Sequence, residues 1–324
     1  MDGGAGCFEE LALEVFAFQF SENQAYRRYC EALGKGPQNV DDWLAIPALP
    51  TDVFKLPGVG LRCFPEAEVA GFFLTSGTTS EVKGRHELRD LQLYEAAVRG
   101  GWRALGLPEL QEPWFFSQTK HAAPHSSLVR MFSILAGNGH WLIDAQGRLD
   151  LVEFPPSGPS AVMGTSLALL RACDAMEPVE LAAGSWIFET GGSKGLRENF
   201  SPEEVRARLS RHFGVPISRI LNEYGMTELS SQCYKWGDEL THRAPPWVGV
   251  RVVDVRTGSL APEGEMGYLE IVDLANLDTI AAVRTQDLAV KVGDQKFQLI
   301  GRDPGALARG CSRGVEDILG GRKS

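Results

Sequence analysis

Six small residues, Thr75-Ser76-Gly77-Thr78-Thr79-Ser80, cut off the apolar run Val69 to Leu74, and a helical pattern runs from Asp90 through Leu105. A short apolar run ended by turn formers reads as a buried strand, and 3.6-residue periodicity as a helix. The predicted order is strand, small-residue loop, helix. Backbone N–H groups and hydroxyls in such a loop can wrap a phosphate with no bulky side chain in the way. Lys83 and Arg85 follow as countercharge. The segment lacks the Gly-x4-Gly-Lys-Ser/Thr spacing of a Walker loop, and its composition alone fits a flexible Ser/Thr turn equally well.

Before this loop, Glu10 to Leu33 has helical spacing, and a proline-punctuated stretch, Ile46 to Pro50, ends in Val53-Phe54-Lys55 as an extended connector. After it, Ser185 to Phe188 reads as a second buried strand. Ser201-Pro202-Glu203-Glu204 opens a helix with a capping box, which stops at Gly214. Ile217 to Leu221 predicts a strand leading into Asn222-Glu223-Tyr224-Gly225-Met226-Thr227-Glu228. Strand and helix thus alternate over the first two thirds, which predicts α/β layers. From Val248 the texture is strand-like throughout: Val248–Val255, Gly267–Val272, Ile280–Arg284 and Phe297–Ile300. The expected organisation is a helical lead-in and connector (1–68), an α/β core (69–247), a small β-rich subdomain (248–301) and a short tail (302–324).

Composition narrows the function classes. Thirty-two basic against 42 acidic side chains give a net charge of −10, no field for a polyanion, so nucleic acid is not an expected partner. Six scattered cysteines form no Cys-x-x-Cys pair and no zinc spacing. They read as reduced thiols in a cytoplasm. Acidic residues at positions 2, 9 and 10 and the lack of a long apolar run predict neither a signal peptide nor membrane insertion.

Tyr224 to Glu228 joins an aromatic face, a tight turn, a hydroxyl and a carboxylate, as stacking a base beside a magnesium-bound triphosphate requires; alone, it is also an ordinary loop ending a strand. Order adds information. The Ser/Thr loop is followed by Glu189-Thr190-Gly191-Gly192, then by Tyr224 to Glu228, then by Thr285-Gln286-Asp287 and Gly301-Arg302-Asp303. This series resembles the motif train of the adenylate-forming superfamily of acyl and aryl ligases. The resemblance implies that Thr75, Ser76, Gly77, Thr78, Thr79, Ser80 and Lys83 take the phosphates of ATP, and that Gly191, Gly192, Tyr224, Gly225 and Thr227 bracket the adenine. It gives Glu228 the Mg²⁺, and Asp287 with Arg302 the ribose. Ser80 and Gln286 depart from the pattern, each standing where the superfamily usually has glycine.

The superfamily continues past its hinge arginine with a further domain carrying a catalytic lysine, whereas here only residues 303–324 follow, so the expected fold is the N-terminal core of an adenylate-forming enzyme without the usual full C-terminal domain. The tail carries Arg309-Gly310-Cys311-Ser312-Arg313. With Ile46-Pro47 to Lys55, Ser126-Ser127-Leu128 and Pro245-Pro246-Trp247, this ending is similar to the acyl-protein synthetases (LuxE type). The resemblance implies an ATP-dependent acid–thiol ligase in which a fatty acid is adenylated, moved to Cys311 as a thioester and handed to an acyl reductase partner. Delivery of a tethered thiol, with effective molarities that can reach about 10⁵ M, matters more than a tuned thiol pKa. Three alternatives stand beside this reading: the same core delivering to coenzyme A or another small acceptor, an inactive scaffold subunit, and a hydrolase built on Gly191-Gly192-Ser193-Lys194-Gly195. The last lacks a helix directly after the serine and a persuasive acid and base. Phe115, Phe116, Leu128, Met131 and Phe132 could line an acyl tunnel, but such runs are more often plain core.

Overall fold

The helical lead-in is two helices because Asn23 ends one and starts the next. Helix α1 spans Gly4–Glu22 and α2 Gln24–Ala32; Asn23 is extended, and its side-chain oxygen accepts the Tyr26 N–H at 2.9 Å, satisfying an otherwise orphaned helical donor. The connector is extended only in part. Strand β1 is Leu49–Pro50, after which Thr51–Lys55 winds into a 3₁₀ turn. The computed structural model describes residues 4–75, 83–191, 200–303 and 318–319.

Strand β2 (Gly71–Leu74) pairs antiparallel with β3 (Arg85–Leu88), and only then comes α3 (Gln92–Ala104). The expected helix is present as α3, but a second strand, missed in the sequence reading, stands between the Ser/Thr segment and it. The alternation was hidden by chemistry: the buried positions of Arg85-His86-Glu87-Leu88 are His86 and Leu88, and the His86 ring goes in uncharged because burial pulls its pKa down to about 4.

The chain forms two compact units, Met1–Ala97 with Met226–Ser231 and Arg243–Ser324, and Val98–Gly225 with Gln232–His242. The second unit runs β4 (Trp114–Phe116), α4 (Ser127–Leu135), β5 (His140–Trp141), β6 (Ala161–Thr165), α5 (Ser166–Ala175), β7 (Trp186–Thr190), α6 (Pro202–Phe213), β8 (Ile220–Tyr224) and β9 (Cys233–Trp236). Its strands lie in the order β8, β7, β6, β4, β5, all parallel, with β9 antiparallel on β8. Near-continuous apolar strands such as Trp186-Ile187-Phe188 suit a parallel sheet covered on both faces. The core gathers Phe116, Val162, Leu169, Ile187, Leu209, Phe213 and Ile220, and Phe115, Met131 and Phe132 are likewise fully buried. The capping box of α6 forms as read: Ser201 Oγ accepts the Glu204 N–H at 3.2 Å, Glu204 Oε2 accepts the Ser201 N–H at 2.7 Å, and Gly214 ends the helix at φ +63°.

After β10 (His242–Arg243), the first unit adds β11 (Val248–Val253), β12 (Met266–Asp273), β13 (Ala282–Lys291) and β14 (Lys296–Arg302), paired antiparallel in that order from β11 to β14. Strand β13 is long enough for two partners on one edge: β14 along Asp287–Lys291 and β1, in parallel, along Val283–Arg284. The connector is fastened there by charge. Glu270, buried, takes Arg251 Nε and Arg284 Nε at 2.6 Å each, and Arg251 Nη1 donates onward to Leu44 O at 2.8 Å. Such a buried set is favourable only when its donors and acceptors are all satisfied.

Candidate active-site residues

In the first unit the candidate site is a turn with its partners. Leu229 N–H donates to Met226 O at 3.1 Å, closing a turn that presents Glu228. Buried polar groups fix it from several sides. His86 Nδ1–H donates to Thr227 O at 2.7 Å while its Nε2 accepts from Thr279 Oγ1 at 3.1 Å, a tautomer dictated by the carbonyl, which can only accept. Asn276 Nδ2 donates to Glu228 O at 2.8 Å. Asp273 Oδ2 accepts the N–H groups of Ser230 and Ser231 at 3.0 and 2.8 Å, and its Oδ1 accepts Ser231 Oγ at 2.8 Å and the Ala275 N–H at 3.0 Å.

Held this way, the Glu228 side chain is only 6% exposed. Burial pushes its pKa up to about 7, against the opposing pull of its own backbone N–H and the charges of Lys55 and Arg302, with Asp52 adding to the rise. A carboxyl kept near neutrality by burial, with cations close by, is poised to accept a further positive charge. Oxygen donors of this kind suit Mg²⁺, which keeps waters and phosphates as its other ligands and needs one or two carboxylates. Among the described residues no cluster of three or more His, Cys, Asp or Glu could hold a metal by itself.

Two further expected residues are neighbours here. Asp287 and Arg302 face each other across β13 and β14. Asp287 N–H donates to Thr285 Oγ1 at 3.1 Å. Arg302 Nη2 donates to Gln286 Oε1 at 2.5 Å, and Gln286 Nε2 to Asp52 Oδ2 at 2.6 Å. Thr75 closes the hairpin mouth: its N–H donates to Gly84 O at 3.0 Å and its Oγ1 accepts the Gly84 N–H at 2.8 Å. Lys83 is exposed at the entry to β3. Thr227 Oγ1 donates to Leu74 O at 3.4 Å.

In the second unit β7 and β8 are adjacent and parallel, with Thr190 opposite Glu223, so Gly191, just past β7, and Tyr224, the last residue of β8, lie at the same carboxyl end, where open α/β sheets bind ligands. Gly191 has φ +76°, a conformation that favours glycine. Tyr224, 8% exposed, packs edge-on to the His242 ring at 5.9 Å between centroids. A Cβ at Gly225 would fall 2.0 Å from Glu223 Oε1, so any larger residue there would have to displace the Glu223 carboxyl. Thr190 Oγ1 donates to Glu223 Oε2, and Ser166 Oγ to Glu189 Oε2. Asn222 Nδ2 donates to Glu189 Oε1 at 2.6 Å, leaving its Oδ1 to accept His242 Nε2–H at 2.6 Å. Burial raises both glutamates, Glu223 to about 7, and lowers His242 to about 3.

Ser76, Gly77, Thr78, Thr79, Ser80, Gly192 and Cys311 lie outside the described residues. Sequence reading missed His86, Asp273 and Asn276, which hold the Glu228 turn, and Asp52 with Lys55, which sit by Gln286. Asp52-x-x-Lys55 was visible as a spacing, but its pairing to a residue more than two hundred positions away was not.

No family model matches the sequence. The long-chain-fatty-acid–luciferin-component ligase of Vibrio harveyi is 24% identical over 309 residues, 86% of this chain and 78% of that protein. A 2-hydroxyisobutyryl-CoA ligase in complex with an acyl-AMP superposes with a TM-score of 0.65 at 14% identity, covering 92% of this chain and 67% of the ligase. An ATP-bound RpMatB-BxBclM chimera superposes at 0.51 with 18% identity over 72% of this chain, which spans about half, 48%, of the chimera's length. Among the described residues no helix is long and apolar enough to cross a membrane. The chain is similar in sequence to the long-chain-fatty-acid–luciferin-component ligases and shares its fold with the 2-hydroxyisobutyryl-CoA ligase.

Proposed function

We propose that this chain is an ATP-dependent acyl-protein synthetase that activates a carboxylic acid, a fatty acid by its relatives, as an acyl-adenylate and transfers the acyl group to Cys311. The observation that carries the reading is the Glu228 turn: a nearly buried carboxylate, fixed by His86, Asn276 and Asp273, and facing the fields of Lys55 and Arg302. In the first half-reaction a carboxylate oxygen of the acid bonds to the α-phosphorus of ATP, and pyrophosphate leaves with the electron pair of the broken bond. Charge builds on phosphate oxygens, so fixed positive groups there lower the barrier. Mg²⁺ bound with the nucleotide supplies part of that charge, and Glu228 is the residue to hold it. By the motif resemblance, Asp287 and Arg302 would take the ribose, Gly191, Gly192, Tyr224, Gly225 and Thr227 would border the adenine, and Thr75, Ser76, Gly77, Thr78, Thr79, Ser80 and Lys83 would take the phosphates.

In the second half-reaction the Cys311 thiolate attacks the acyl carbonyl and AMP departs. Three of the five other cysteines support this choice. Burial pushes the thiols of Cys30, Cys63 and Cys173 up to about 12, which leaves almost no nucleophilic thiolate near neutral pH. An acyl-accepting protein such as an acyl reductase then takes the group, in the cytoplasm. Acid-dependent pyrophosphate release across a panel of carboxylic acids tests the first half-reaction. Glu228→Gln is expected to slow it about 100-fold, the scale of removing one preorganised electrostatic group; release unchanged by this substitution contradicts the assignment, and no release with any acid contradicts adenylation.

A further inference from the structure

The connector ends in a cation that the nucleotide contacts above do not use. Pairing of β1 with Val283–Arg284 sets the Thr51–Lys55 turn on the edge of β13 that also carries β14. Inside the turn Lys55 Nζ lies 3.3 Å from Asp52 Oδ1. Asp52 Oδ2 accepts Gln286 Nε2 at 2.6 Å, and Gln286 Oε1 accepts Arg302 Nη2 at 2.5 Å. Lys55 and Arg302 are thus held in register through one carboxylate and one amide. The amide belongs to the residue that replaces the superfamily's usual glycine; a glycine could not reach either partner.

The stem of Lys55 lies against the hairpin mouth. A Cβ on Gly84 would come within 3.3 Å of Lys55 Cγ and 2.8 Å of Thr75 Cγ2, so the lysine is packed where Thr75 and Gly84 pair. The Lys55 side chain keeps access to solvent, at 32% exposure, and Asp52 takes one of the ammonium's three donors. An isolated i,i+3 ion pair at a surface contributes little to stability. A pair whose carboxylate is anchored by a second residue, beside a nearly buried glutamate, is arranged for something else.

We propose that Lys55 is a catalytic residue for the phosphate end of the nucleotide: its ammonium binds the anionic phosphate and stabilises charge at the α-phosphorus during displacement, with Asp52 and Gln286 as positioning residues. This rests on the adenylation reading. Lys55 transfers no proton; the new bond is from the acid's carboxylate oxygen to phosphorus, and the broken one releases pyrophosphate with its electron pair. The role is the electrostatic one that a preorganised cation plays at a developing anion.

The test compares Lys55→Met, Lys55→Arg and wild type in Mg·ATP binding, adenosine binding and acid-dependent pyrophosphate release. Lys55→Met is expected to weaken Mg·ATP about 10-fold, to leave adenosine within twofold, and to lower kcat for pyrophosphate release about 100-fold, with Lys55→Arg recovering most of the Mg·ATP affinity. Lys55→Gln serves as the second neutral variant if the Met variant melts at a lower temperature. Wild-type values for Mg·ATP binding and release in both neutral variants overturn the proposal. Absence of pyrophosphate with every acid, while Lys55→Met still separates Mg·ATP from adenosine, overturns adenylation and retains Lys55 as a phosphate ligand. No binding of either nucleotide to wild type overturns both.

Discussion

Glu228→Gln is expected to make the apo protein more stable while, on the proposed role, slowing adenylation. With a folded pKa near 7 against an unfolded value of 4.5, the native state binds more protons than the unfolded state between those values. Stability from this group is therefore full below about pH 4.5 and is lost as pH rises through about 7. The 2.5-unit gap corresponds to about 3 kcal/mol at 1.36 kcal/mol per unit, and burial leaves little solvent screening to discount. Glutamine has the shape of the protonated form and does not titrate, so the variant escapes the loss. Relative to wild type it is expected to gain roughly 2 to 3 kcal/mol between pH 5 and pH 8, measured by chemical denaturation of both proteins at each pH, with fluorescence as the readout. Glu223, also raised to about 7, titrates in both proteins and cancels in the difference. On the proposed metal role, Mg·ATP is expected to stabilise wild type more than the variant and so to narrow the difference. A difference that stays flat within about 0.5 kcal/mol from pH 5 to pH 8 refutes the claim that Glu228 is a buried carboxyl with a raised pKa.

Asp273→Ala leaves the N–H groups of Ser230, Ser231 and Ala275 and the Ser231 hydroxyl without their carboxylate; a loss of about 3 kcal/mol in a denaturation experiment is expected, since each stranded buried donor costs about 1–3 kcal/mol and relaxation recovers part. In native protein Cys30, Cys63 and Cys173 should resist a thiol reagent at pH 8 and react only after unfolding, as buried thiols raised to about 12 must; rapid native labelling at any of the three, located by peptide mapping, contradicts their burial. Gly225→Ala forces a methyl group onto Glu223 Oε1 and should destabilise the protein by about 1–3 kcal/mol, read as a lower melting temperature; an unchanged melt means that the Glu223 side chain moves aside freely.

Local chemistry was legible in the sequence where one segment carried the whole signal. The capping box at Ser201 and the strand around Trp186 needed no distant partner. Boundaries failed where a side chain behaved against type. Ile217 looked like the start of a strand, but Pro216 begins a 3₁₀ turn that leaves Ile217 40% exposed, and β8 starts at Ile220. Strand β3 was invisible because one of its buried positions is a histidine. For the candidate site, single residues stood out as motifs, and the structure puts Asp287 opposite Arg302 and ends Gly191 and Tyr224 on neighbouring strands. What sequence could not supply was the support: His86 to Thr279, Ser231 to Asp273 and Asp52 to Gln286 are hydrogen bonds across long stretches of chain, and no local pattern encodes them.

The proposed reaction turns on an acyl-adenylate passed to Cys311. Intact mass of the protein after incubation with Mg·ATP and a panel of fatty acids, for wild type and Cys311→Ser, tests it most directly. A hydroxylamine-labile adduct of one acyl group is expected on wild type and absent from Cys311→Ser, with pyrophosphate released in both. Pyrophosphate without an adduct on wild type, or an adduct that survives in Cys311→Ser, contradicts it.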